Sequence, residues 1–194
     1  LHALLRTTRA LPSPLRAWCN DCGERALAPR LLRLKREQLA PALMASELAA
    51  IERWQRESSG RGGAGGGEFA VRANLATREV TARYTQDECT LELVLTLDAA
   101  HLLRNVQVEC TQRLGIKEPR WRRWVLQIVT LLATQNARVL DALLLWRANV
   151  DRELDGVEAC PICCSTVHAK SHALPDLECS TCHAKFHSLC LYKW

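Results

Sequence analysis

Cys89-Thr90-Leu91-Glu92-Leu93-Val94-Leu95-Thr96-Leu97 alternates strictly. Cys89, Leu91, Leu93, Leu95 and Leu97 share one face, and Thr90, Glu92, Val94 and Thr96 share the other. Successive side chains of a strand point to opposite faces, so this period predicts a half-buried strand of an antiparallel sheet. Val106, Val108 and Cys110 alternate with Gln107, Glu109 and Thr111 in the same way, after a connection over Asp98–Asn105. Upstream, Ala70–Leu75 and Glu79–Tyr84 read as two further strands.

Past residue 118 the period changes from two to that of a helix. Pro119 suits a first helical turn, and Trp121, Trp124, Val125, Ile128, Leu131 and Leu132 then form one apolar stripe. A second helix carries Val139, Leu143, Trp146, Val150 and Leu154, and Gly156 suits its end. Four strands followed by two helices predict an α+β domain over 68–156, with the helices on one sheet face.

Residues 57–67 are a Gly-rich linker, Ser58-Ser59-Gly60-Arg61-Gly62-Gly63-Ala64-Gly65-Gly66-Gly67 at its centre. No Lys-Ser/Thr follows these glycines, so they are not a phosphate loop. Residues 1–56 read as helices. Leu15, Trp18 and Cys19 share a face after Ser13-Pro14, and Leu31, Leu34, Leu39, Leu43 and Leu48 continue the pattern, broken near Pro41. The expectation is the end of a helical array located upstream.

Charge separates the same regions. The 194 residues carry a net charge of +5. Residues 1–56 hold ten Lys/Arg against five Asp/Glu, and the remainder holds sixteen of each. A basic segment fits a solvated helix surface or a surface facing RNA or an acidic partner. Hydrophobic residues make up 48% of the chain and aromatics 5%, so the core is expected to be mostly Leu, Val and Ala. The start of the chain has no secretory signal, and the longest nearly apolar run, Trp124–Ala133, is too short to span a bilayer.

The last segment, 157–194, carries the chemistry. Cys160-x2-Cys163, Cys179-x2-Cys182 and His187-x2-Cys190 are three ligand pairs, each spaced to reach one ion. Thiolate and imidazole donors in pairs suit tetrahedral zinc, and they argue for metal in a reducing compartment rather than disulfides. Two pairings are physically possible. Sequential pairing puts Cys160, Cys163, Cys179 and Cys182 on one ion. Cross-brace pairing puts Cys160, Cys163, His187 and Cys190 on the first and leaves Cys179 and Cys182 for a second. The order Cys-Cys, Cys-Cys, His-Cys is that of cross-brace fingers. The chain ends at Trp194, two ligands short of filling two sites, and the expectation is part of a longer protein with an incomplete second Zn2+ site.

Other candidates take structural readings. Cys164 is read as a bystander, and His168, His172 and His183 as surface residues, since none repeats the ligand gap. Cys89 and Cys110 are read as small core residues, and Cys19-x2-Cys22 as structural in its helical context. No Ser/His/Asp set or HExxH motif occurs.

The run Gly156–Cys163, Cys179-Ser180-Thr181-Cys182 and Lys185–Trp194 resembles the RING finger of the listerin family of ubiquitin ligases. Thr77–Thr85, Trp121–Trp124 and Trp146–Asp151 are similar to the RWD domain that precedes it in that family, and 1–56 more loosely to the end of its HEAT-like solenoid. The resemblance implies a RING-type E3 ubiquitin transferase without a covalent intermediate, docking a ubiquitin-charged conjugating enzyme through Ile162 and Trp194. It implies two Zn2+ ions in the complete module, with one fully ligated here. Its implied partners are that enzyme, the large ribosomal subunit (protein and rRNA) with a stalled nascent chain, and quality-control cofactors. It implies the cytosol and no membrane. The family's last Cys-x2-Cys pair is absent, so this segment alone is expected to be a poor ligase. A PHD-type peptide-binding finger shares the ligand order, and a non-catalytic RWD/zinc interaction module is the other alternative. Ala159, Pro161 and Ser165 do not suggest the aromatic or acidic peptide surface that the PHD reading needs.

Overall fold

The computed structural model describes residues 6–8, 10–21, 27–58, 67–99, 106–112 and 115–194. Most of the Gly-rich linker, the connection over 100–105, Cys22 and the side chain of Cys19 lie outside the described residues. The chain is mixed α+β. Helices α1 (Pro12–Asp21), α2 (Leu27–Leu34) and α3 (Ala40–Ser58) come first, with a π-helical turn over Lys35–Leu39 between α2 and α3. Strands β1 (Glu68–Asn74), β2 (Glu79–Gln86), β3 (Cys89–Thr96) and β4 (Gln107–Gln112) follow, then α4 (Glu118–Thr134) and α5 (Val139–Leu154). The last segment holds a two-stranded ribbon, β5 (Leu177–Glu178) with β6 (Lys185–Phe186), and α6 (Ser188–Lys193).

The sheet is an antiparallel meander in the order β1-β2-β3-β4. The β3 alternation becomes burial alternation: Leu91, Leu93, Leu95 and Leu97 are buried, and Thr90, Glu92, Val94 and Thr96 are not. Register sets Leu93 between Ala82 and Cys110, and Leu95 between Val80 and Val108, so the apolar face is continuous across three strands. Trp121, Trp124, Ile128 and Leu132 of α4 join Val139, Ala142, Leu143, Trp146 and Val150 of α5 in one core with that face. Tyr84 is fully buried, and its hydroxyl donates to Asp151 Oδ1 at 2.7 Å. Burial and that hydrogen bond push the Tyr84 pKa well above the usual range.

Pro41 interrupts without ending the helical region. Proline has no N–H to offer the carbonyl of residue 37, and the π-helical turn lies immediately before it. The Gly-rich linker separates α3 from the sheet in sequence, yet α3 shares the domain's core: Met44 and Ile51 belong to the same buried cluster. Glu47, on the same face, accepts a hydrogen bond from the Val139 backbone N–H at 3.0 Å, at the start of α5. A carboxylate is favoured at a helix N-terminus, where free N–H groups converge. The α1 face behaves differently from the apolar stripe read in sequence, for Trp18 is 54% exposed. Among the described residues, no helix is long and apolar enough to cross a membrane.

Candidate metal centre

The final segment folds through one local turn used three times. In the first, the Cys160 N–H bonds to the Ser165 carbonyl at 3.0 Å and the Cys164 N–H to the Cys160 carbonyl at 2.8 Å. Cys179 with Ala184 and His183, and His168 with Ala173 and His172, repeat it at 2.8–3.0 Å. The fifth residue of each turn is left-handed: Cys164 at φ 58°, His172 at φ 53° and His183 at φ 57°. The turn aims backbone N–H groups at its first side chain. For Cys160 and Cys179 that side chain is a thiol. For His168 it is the ring, whose Nδ1 accepts from the N–H groups of Lys170 at 3.3 Å and Ser171 at 3.1 Å.

Cys160, Cys163, His187 and Cys190 come together, with their ligand atoms all within 4.8 Å of one another. This is the alternating grouping, and Cys179 and Cys182 take no part in it. The first turn supplies Cys160 and Cys163. His187 is the N-cap of α6, and Cys190 lies one turn into that helix. His187 is fully buried; its Nε2 lies 3.2 Å from the Thr166 carbonyl and its Nδ1 3.3 Å from the Cys163 sulfur and 3.8 Å from the Cys190 sulfur. A carbonyl only accepts, so Nε2 carries the proton and Nδ1 presents its lone pair to the sulfurs. Thiolate and imidazole ligands on one tetrahedral ion stand about 3.5–3.8 Å apart, so this donor set fits one with little movement.

Electrostatics prepare the thiols unequally. Burial works against the Cys160 thiolate, but the backbone N–H groups of His187, Cys163 and Ile162, with the Cys163 thiol, bring its pKa down to about 6. Cys190 is pushed up to about 11, first by burial and then by the hydrogen bond and charge of Cys163 and the charge of Cys160. Three sulfurs this close cannot all be thiolates without a cation between them, so the cluster is organised for positive charge.

Cys179 is half-buried and Cys182 exposed. Backbone N–H groups of Cys182 and Thr181 lower the Cys179 pKa. Among the described residues, no third metal-ligating group stands close enough to join this pair. Ile162 is half-buried in the first turn. Trp194 and Tyr192 are each 90% exposed, and Leu191 47%, so the last helix presents apolar side chains to solvent.

The sequence reading missed His168 and the attachment of this segment. Helix α5 ends shortly before it, at Leu154. Gly156, at φ 70°, does end that helix, but the holding contacts run to the sheet. Asp87 Oδ2, in the β2–β3 turn, accepts from Thr166 N–H at 2.9 Å and Val167 N–H at 3.1 Å. His172 Nδ1 lies 3.3 Å from the buried Cys89 sulfur, and Val167 enters the domain's core. Gly115, at φ 38°, sits so close to the third turn that an added Cβ would stand 2.5 Å from the His172 carbonyl oxygen. The third turn, His168 to Ala173, has the span of the first, Cys160 to Ser165, but none of its cysteines, so no ligand spacing marks it in the sequence.

With this geometry in view, comparison with known proteins is decisive. E3 ubiquitin-protein ligase listerin of Xenopus tropicalis is 35% identical over 188 residues, covering 97% of this chain and 11% of that protein. The listerins of Mus musculus, 35% identical over 97% of the chain, and Schizosaccharomyces pombe, 33% identical over 100%, match alike. The chain belongs to the listerin family. It spans about a tenth of the length of the curated relatives it matches. The family described as Ubiquitin conjugating domain-like matches residues 69–153, which are the sheet with α4 and α5. The relatives carry the name of ubiquitin ligases, so membership places this chain in an E3 ligase family.

Proposed function

We propose that this segment serves a RING-type E3 ubiquitin ligase, binding a ubiquitin-charged conjugating enzyme so that a substrate lysine can attack the thioester. The observation that carries the reading is the alternating ligand group. Cys160 and Cys163 meet His187 and Cys190 across the intervening Cys179/Cys182 pair, in a chain of the listerin family. We assign Zn2+ to the group, since three thiolates and one imidazole suit a closed tetrahedral structural site. Such an ion supplies folding energy, not a reacting centre. Cys179 and Cys182 would hold half of a second site.

Docking would fall to Ile162, held in the first ligand turn, and Trp194, whose exposure fits a partner-facing anchor. The family reading extends to substrates on the large ribosomal subunit, to the cytosol, and to a HEAT-like array ending in α1–α3. The surplus positive charge of 1–56 supports a surface facing phosphate. The test is single-turnover ubiquitin discharge from a charged conjugating enzyme, using the chain supplied with a further Cys-x2-Cys pair beyond Trp194. Faster discharge that Ile162→Ala abolishes is expected. Discharge at the rate of the conjugating enzyme alone would overturn the ligase reading.

A further inference from the structure

The ligand His187 is connected to the sheet through a single peptide group. Its Nε2–H donates to the Thr166 carbonyl at 3.2 Å, and the N–H at the other end of that same peptide, on Val167, donates to Asp87 Oδ2 at 3.1 Å. The neighbouring Thr166 N–H donates to the same carboxylate oxygen at 2.9 Å. Asp87 stands outside the finger, about 80 residues earlier in the chain, in the turn joining β2 to β3.

A carboxylate at the N–H end of a peptide polarises it and makes the carbonyl at the other end a stronger acceptor. A stronger acceptor holds the imidazole proton on Nε2, fixes the ring, and raises the basicity of Nδ1 toward a metal. The usual form of this device sets a carboxylate directly on the ligand histidine. Here one peptide stands between them. His187 is fully buried, so no water competes for its Nε2–H.

We propose that Asp87 is a positioning residue for the metal centre: acting through the Thr166–Val167 peptide, it sets the tautomer and orientation of His187 and ties metal retention to the intact β2–β3 turn. The inference rests on the metal reading of the Cys160, Cys163, His187 and Cys190 group. Its consequence is an α+β domain that is part of the metal site's support. Metal binding in turn stiffens the turn that carries Asp87.

The backbone at Asp87 decides the test. Its φ of 54° is left-handed, a conformation that Gly and Asn adopt readily. Asp87→Gly therefore removes the carboxylate while keeping the turn, and Asp87→Asn keeps an accepting oxygen. The 194-residue chain is loaded with zinc, and release to a colorimetric chelator is timed for the wild type and both variants. Outer ligand partners of this kind are worth about 10–100-fold in metal affinity. We expect release to quicken about 10-fold or more in Asp87→Gly and to return most of the way to wild type in Asp87→Asn. Release from Asp87→Gly at the wild-type rate overturns the proposal, as does an Asn variant no better than Gly. A second measurement needs no variant. The Val167 amide should exchange slowly in the zinc-loaded wild type, and exchange at the unprotected rate there overturns the proposal even if Asp87→Gly fails to fold. A wild-type chain that takes up no zinc would instead overturn the metal reading itself.

Discussion

The sheet domain and the metal segment are built on opposite economies. The domain buries Leu91, Leu93 and Leu95 of β3, and Leu97 just beyond it, beside Trp121, Trp124, Trp146 and Tyr84, and its order follows from removing apolar surface from water. The last 38 residues bury almost nothing apolar of their own; Val167 joins the domain's core, and the other buried groups are Cys160, Pro175, His187 and Cys190. A segment so poor in core residues needs another source of folding energy, and a metal ion on the ligand group, as proposed above, would be that source. One region should therefore answer to cavities and the other to metal.

Four substitutions sharpen or break that contrast. Cys160→Ser takes one thiol out of the proposed metal site, whose complete ligand set would contribute about 10–16 kcal/mol to folding. Amide exchange should then show 157–194 unprotected while β1–β4 stay protected; a segment that remains ordered would break the contrast. Trp146→Ala acts on the other side. Trp146 is fully buried, so the cavity should cost the domain about 3–5 kcal/mol in denaturant unfolding, with zinc stoichiometry unchanged. Gly115→Ala probes the join. The strained φ and the clash with the His172 carbonyl should cost about 1–3 kcal/mol and raise exchange in the third turn ahead of the sheet. Trp194→Ala should shift stability by less than about 0.5 kcal/mol, because the side chain is 90% exposed, while abolishing the ubiquitin discharge stimulated by the chain supplied with the further Cys-x2-Cys pair. A large loss of stability would make Trp194 a local core residue instead.

What could be read from sequence divides along the same line. The period of β3 and the stripes of α4 and α5 are local patterns, and they become elements because side-chain direction follows from backbone period. Ligand pairs are equally local: the gap Cys160-x2-Cys163 is a turn geometry. Two things were not legible. The core shared by α3 and the sheet crosses a Gly-rich stretch whose composition signals separation, and only tertiary packing brings Met44 and Ile51 there. Asp87 and His168 act through hydrogen bonds to backbone N–H groups, and an acceptor of that kind leaves no spacing pattern. The turn at His168 has the form of a ligand turn with the thiolate replaced by a ring nitrogen, so a search for cysteines passes over it.

The central claim is that Cys160, Cys163, His187 and Cys190 share one metal ion while Cys179 and Cys182 stand apart from it. Native mass spectrometry of the zinc-loaded 194-residue chain, beside Cys160→Ser, tests it most directly. The account predicts one firmly held zinc per chain, lost in the variant. Two firmly held zinc ions, or one that survives Cys160→Ser, would contradict it.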